Sequence, residues 1–212
     1  MKNSIIIITA LFTSLVNISK AQEIIDPRKQ LMFGVKAGAN LSNVYDASGE
    51  NFAADPKMGF AGGAFLSIPI GKYLGFQPEL LYSQKGYKST GTLFGSTYSD
   101  TRTTSFLDIP LQLQFKPIRF LTFLGGVQYS YLLHQKDVYA FGTNSAAQDQ
   151  AFKNDNARKN IFGAVLGVDL NINHFVISGK ACWDLQNNNG DGSSYTPRYR
   201  NVWYQLTVGF RI

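Results

Sequence analysis

Cysteine is almost missing from this 212-residue chain: Cys182 is the only one. An internal disulfide is therefore excluded, and a lone Cys reads as a small wall residue rather than a nucleophile. Histidine is nearly as scarce, with His134 and His174 alone. Proline is held to 7 while hydrophobic residues reach 44%, which is not the composition of a disordered chain. Beyond the first two dozen residues no apolar run approaches the roughly 20 residues that a spanning helix needs. Strong charge is lacking too. Residues 1–21 carry Lys2 and Lys20 and no acid, so the remaining 18 basic and 14 acidic residues leave a net +4. That balance is too mild and too scattered for a nucleic-acid partner.

The N-terminus differs from the rest. Lys2 gives a positive start, Ile5 to Val16 an apolar stretch, and Ser19-Lys20-Ala21 small residues at the −3 and −1 positions of a cleavage site. Residues 1–21 read as a secretory signal peptide, with Gln22 opening the mature chain. No Cys follows that site, so a lipoprotein anchor is not supported.

What fills residues 22–212 is period two, repeated. Phe33, Val35, Ala37, Ala39 and Leu41 alternate with Gly34, Lys36, Gly38, Asn40 and Ser42. Seven further segments do the same, beginning near Phe60, Leu74, Thr103, Leu121, Phe162, Phe175 and Val202. Tight turns at 71–73, 117–119 and 171–173 alternate with polar stretches at roughly 44–57, 88–102, 134–159 and 186–198, so short and long connections fall on opposite ends. Transmembrane barrels carry short periplasmic turns and longer external loops in this way. Three features assign the apolar face to lipid rather than to a core. That face is almost free of charge, and the strands are about 10–14 residues long, enough to cross a bilayer tilted. Aromatics also gather near strand ends, with Phe33, Phe76, Phe115 and Phe175 at one and Tyr82, Tyr131 and Trp183 at the other. The expectation is an all-β, eight-stranded antiparallel up-and-down transmembrane β-barrel in the outer membrane of a Gram-negative cell. A lipocalin-like exported soluble barrel, its apolar face inward around an apolar ligand, is the competing arrangement.

The stretches FGVKAGANLSN at 33–43, QPELLYSQKG at 77–86 and SFLDIPLQLQFKP at 105–117, with a final strand ending LTVGFRI, resemble the PorT-like family of outer-membrane β-barrels. The likeness spans nearly the whole mature chain, and LDIPL at 107–111 is its most distinctive element. It implies a small barrel of the OmpA or OmpX type, in a family whose founding member belongs to a protein-secretion system. Such barrels often end in an aromatic residue, whereas this chain ends in Ile212 with Phe210 two residues earlier.

An eight-stranded barrel has an interior just wide enough for side chains. The register turns Lys36, Glu79, Lys85, Asp108, Gln112, Asp169, Lys180, Asp184 and Arg211 into it, with Asn40, Gln114, Lys116, Gln128 and Gln205. Unpaired buried charge is costly, so these residues are expected to form a mutually satisfied network rather than a pore. Pro110 falls mid-strand without an N–H, which predicts a bulge or weakened pairing there, with Asp108 held by an inward Lys or Arg. His134 and His174 lie at opposite ends, so no shared metal site forms; His134 with Ser130 is the one arrangement that suggests a lipid-hydrolysing enzyme. The run Asn187–Gly192 suggests a calcium loop until its twelfth position, which is Arg198 where a bidentate Glu is needed. No cofactor is implied. At the long-loop end Lys88, Arg102, Arg158, Lys159, Arg198 and Arg200 are candidates to meet lipopolysaccharide phosphates, alongside Lys153. The expected partners are outer-membrane lipid, lipopolysaccharide and other envelope proteins. The expected role is non-enzymatic, structural or accessory to an envelope or secretion assembly.

Overall fold

Strands that are apolar on one face satisfy their backbone in hydrocarbon only when the sheet closes on itself. In a computed structural model the chain does so. The structure describes residues 26–46, 54–93, 96–141, 144–150, 158–188 and 199–212, with the side chains of 46, 91–98 and 141–150 set aside. The signal peptide expected over 1–21 lies outside the described residues. The elements are β1 (Met32–Asp46), β2 (Asp55–Pro69), β3 (Leu74–Leu93), β4 (Ser96–Ile118), β5 (Leu121–Phe141), β6 (Asn144–Gln150), β7 (Asn160–Ile172), β8 (Phe175–Asp184) and β9 (Tyr199–Arg211). All pairs are antiparallel. The ring runs β1-β2-β3-β4-β5-β7-β8-β9, and β9 returns to β1 with Gly34 opposite Arg211. Eight strands make the wall. The short β6 pairs only with Gln135–Phe141 at the far end of β5.

The apolar face is the outer one. Leu113 is 65% and Leu206 62% exposed, while Lys36, Glu79 and Lys180 on the other face are 4% or less. A soluble lipocalin-like barrel would show the reverse.

Two of the expected loops prove to be largely strand. The β3–β4 ladder continues to Leu93 opposite Ser96, and β5 continues to Phe141 and folds back as β6. Thr90, Thr92, Thr97, Thr101 and Thr103 explain the extension: β-branched residues favour strand even where the segment is polar. Only the search for apolar alternation missed them.

One irregularity re-aims side chains. Ser105 pairs with His134 but Phe106 with Leu132, so Leu133 is an extra residue in β5. Such a bulge reverses the alternation beyond it, and Asp137 therefore faces inward although the apolar positions of β5 are odd-numbered up to Leu133. Pro110 behaves differently. The β3–β4 ladder skips Glu79/Pro110 and Leu80/Ile109 and resumes in the same register, while the β4–β5 ladder runs through Pro110 unbroken. The missing N–H thus weakens one side only, without a bulge. Pro78 leaves a matching gap between β2 and β3. At the short-turn end, Asn173 takes φ 50° in the β7–β8 turn, a left-handed conformation that Asn tolerates.

Candidate functional site: a polar lumen closed at both ends

The lumen is built by alternation, every second residue pointing inward from each strand. At mid-height Glu79 of β3 receives Lys36 Nζ from β1 at 2.9 Å and Lys180 Nζ from β8 at 2.7 Å, with Gln77 Nε2 donating at 2.7 Å. Gln77 Nε2 also lies 3.5 Å from Asp169 Oδ2. Nearer the long loops, Lys85 Nζ stands 3.1 Å from Asp108 and donates to Ser130 at 3.3 Å. The same ammonium lies 3.7 Å above the Trp203 ring and 4.5 Å from that of Phe106, so its charge is shared between a carboxylate and two aromatic faces. Asp184 accepts from the side chain and the backbone N–H of Asn201.

Above this the lumen is closed. Arg102 donates from Nε to Asp137 Oδ1 at 2.7 Å, from Nη2 to Oδ2 at 2.9 Å, and from Nη1 to the Tyr199 hydroxyl at 3.3 Å. Its guanidinium lies 5.9 and 6.0 Å from the Tyr87 and Tyr199 rings, which meet edge to face at 5.4 Å with Val44 packed beside them. At the other end the turn Asp26–Gln30 covers the mouth. Lys116 Nζ donates to the Pro27 carbonyl at 2.8 Å and to Ser67 Oγ at 3.2 Å. Arg211 donates to Asn171 Oδ1 at 2.6 Å and to the Asn173 carbonyl. Hydrogen bonds from the Arg28 side chain hold the Asp26 carboxyl down at about 2.

The nine residues assigned to the lumen are all buried. Lys36, Glu79 and Lys180 meet one another, Lys85 meets Asp108, Asp169 approaches Gln77, and Gln112 reaches the Gln77 carbonyl at 3.5 Å. Asp184 and Arg211 bind asparagines instead of charged partners. The rim set divides. Lys88 and Lys159 are exposed, Arg158 and Arg200 half-buried, and Arg200 Nε donates to Asn187 Oδ1 at 2.9 Å. Arg198, Lys153 and most of the Asn187–Gly192 run lie outside the described residues. Arg102 is a correction: it is 8% exposed and locked on Asp137 inside the mouth, so it does not face lipid. The reason is that β4 continues as a strand past it, and its even-numbered side chains keep pointing inward. Sequence reading also missed Tyr87, Asp137, Tyr199 and Trp203. Tyr87 and Trp203 were available from simple alternation with Lys85 and Gln205, whereas Asp137 depends on the bulge.

Chemically the arrangement holds Lys36, Lys180, Glu79, Lys85 and Asp108 in fixed ion pairs, while Lys116, Arg211 and Asp184 are held by neutral groups. One carboxylate oxygen each of Asp169 and Asp184 is left without a hydrogen bond among the described residues. Ser130 is buried and accepts from Lys85 and Gln128 in the lumen, and the Leu133 bulge separates it from His134. No serine–histidine dyad facing lipid is assembled there. His174 Nδ1 lies 2.9 Å from the Arg211 carbonyl at the opposite end. Among the described residues no three His, Cys, Asp or Glu side chains group to hold a metal.

Comparison with known proteins gives a consistent picture. The family described as outer membrane protein beta-barrel domain matches residues 20–189. Ail, the attachment invasion locus protein of Yersinia pestis, in its complex with the heparin analogue sucrose octasulfate, aligns at 12% identity and TM-score 0.50. That alignment covers 86% of this chain and 99% of Ail. A major outer membrane protein of Thermus thermophilus aligns at 14% identity and TM-score 0.49, covering 86% and 99%. OprG of Pseudomonas aeruginosa aligns at 14% and 0.41, covering 85% and 95%. No curated protein matches the chain.

Proposed function

Since the chain belongs to the outer membrane protein beta-barrel domain family, we propose that it is a non-enzymatic protein of a Gram-negative outer membrane, exported with residues 1–21 removed. Its role is structural or accessory to an envelope or secretion assembly, and its contacts are made from the external end. One observation carries this reading. β2 reaches only to Asp55 opposite Lys88, and β7 pairs with β5 only as far as Asn160 opposite Tyr131, yet β3, β4, β5 and β6 go on pairing beyond both. A four-stranded sheet therefore stands above a barrel whose interior is filled and closed. An interior filled with buried side chains leaves little room for transport, whereas an upright sheet beside a basic rim of Lys88, Lys159, Arg158 and Arg200 offers surface to partners and to lipopolysaccharide phosphates. The PorT-like resemblance supports the assembly role.

The test is co-purification from detergent-solubilised outer membranes. Replacing residues 89–100 by a short turn should abolish a reproducible set of co-purifying envelope proteins while the heat-modifiable gel migration of a folded barrel persists. An unchanged set with the shortened hairpin would overturn the proposal.

A further inference from the structure

The outer wall is not uniformly convex. Gly179 and Ala181 are outward positions of β8, where the neighbouring strands carry large side chains. By register Ala181 lies between Leu166 of β7 and Tyr204 of β9, and Gly179 between Val168 and Leu206. Leu166, Tyr204 and Leu206 stand well out from the wall at 57%, 66% and 62% exposure. A Cβ placed on Gly179 would meet nothing within 4 Å. The result is an apolar groove of about 820 Å³ that extends from Phe123 on β5 to Met58 on β2.

Its size decides its occupant. The volume falls in the roughly 300–1,000 Å³ range of small-ligand sites, and far fewer residues line it than the roughly 20–30 a side of a standard protein interface. A second barrel is thus a poor fit, and a hydrocarbon chain a good one. Charge then selects which lipid. Leu206, Tyr204, Val202 and Arg200 share the outward face of β9, rising toward the long-loop end over roughly 20 Å at about 3.3 Å per residue. Asn187 holds Arg200 through Nε, which leaves a planar donor suited to phosphate at the top of the column. Lipid tails are as apolar as the wall, so burial alone gains little here; close packing and the charged contact supply selectivity.

We propose that this groove binds one molecule of lipopolysaccharide from the outer leaflet, with an acyl chain over Gly179 and Ala181 and a lipid A phosphate on Arg200. The inference rests on the outer-membrane reading, which heat-modifiable migration checks separately for every variant. Detergent-purified protein is titrated with lipid A, its dephosphorylated form and phosphatidylglycerol, and bound lipid is counted by native mass spectrometry. One lipid A per barrel is expected. Gly179→Leu, whose Cβ has open space around it and whose side chain occupies the groove, should weaken that binding at least tenfold, and Ala181→Leu provides the same test if the first variant does not fold. Arg200→Gln should weaken lipid A but not its dephosphorylated form, and Leu80→Ala on β3, which contributes nothing to the groove, should change neither. Equal binding of phosphatidylglycerol, or lipid A binding unaltered in folded Gly179→Leu, would overturn the assignment.

Discussion

Two arginine–aspartate pairs guard the two ends of the lumen, and their geometry is nearly the same. Arg102 meets Asp137 at 2.7 and 2.9 Å, and Arg28 meets Asp26 at 2.9 and 2.8 Å, each through Nε and Nη2. What differs is the surroundings. The first pair joins residues 35 apart on different strands, its side chains 9% and 2% exposed; the second joins residues two apart in one turn, at 21% and 18%. Equal hydrogen bonds therefore do unequal work. The inner pair cannot be hydrated when broken and ties β4 to β5, while the outer pair exchanges its partner for water and fixes only its own turn.

The largest effect should come from breaking the inner pair on one side. Arg102→Leu leaves the Asp137 carboxylate buried with Gln135 Nε2 at 3.1 Å as its remaining side-chain partner among the described residues, and loss of one partner of a buried pair costs about 3–5 kcal/mol. Urea unfolding in micelles, followed by the gel shift of the folded barrel, measures this. Adding Asp137→Leu should restore most of the loss, because a buried pair replaced on both sides by apolar residues is often neutral. A double variant no better than the single would show that the pair, rather than the uncompensated charge, holds the mouth.

A smaller effect sharpens the same contrast. Arg102→Lys keeps the charge but loses the fork and the planar contact with Tyr87 and Tyr199. It should cost less than Arg102→Leu, about 1.5–3 kcal/mol by the worth of hydrogen bonds to charged groups. A cost equal to that of Arg102→Leu would mean that the planar fork is all that matters and the charge nothing.

The contrast also separates what was legible in the sequence from what was not. Wherever apolar and polar residues alternate without interruption, the wall and its inward residues follow from counting; that an inward Lys or Arg holds Asp108 is reached in that way, and the cross-strand register supplies Lys85 as that residue. Arg102 was misread because the segment around it is polar on both faces, and a strand of Thr and Ser carries no hydrophobic period. Asp137 lies one bulge beyond the readable pattern. Leu132-Leu133 offers two apolar residues in a row, and only pairing with β4 decides which of them is extra. The pair closing the mouth is therefore tertiary information, whereas the Asp26–Arg28 pair is local and close enough in sequence to be read as a turn.

The outer pair supplies the smallest effect and a pH dependence of definite sign. Hydrogen bonds from the Arg28 side chain, chiefly, lower the Asp26 carboxyl from 3.8 to about 2. A carboxyl lowered in the folded state contributes stability that is present above its unfolded value and is lost as pH falls through the folded one. The turn over the short-turn mouth should thus loosen between about pH 4 and pH 2, as the Asp26 carboxylate is protonated. Carbon-13 NMR of the Asp26 carboxyl should titrate near 2, and Arg28→Gln should return it toward 3.8 with the unfolding midpoint of the barrel unmoved. The barrel should not notice because Lys116 grips the turn through the Pro27 carbonyl, a contact that no carboxylate titration removes. A midpoint near 3.8 in the unaltered protein would mean that the local pair is not formed, and a shifted unfolding midpoint in Arg28→Gln would mean that both ends of the lumen are held in the same way.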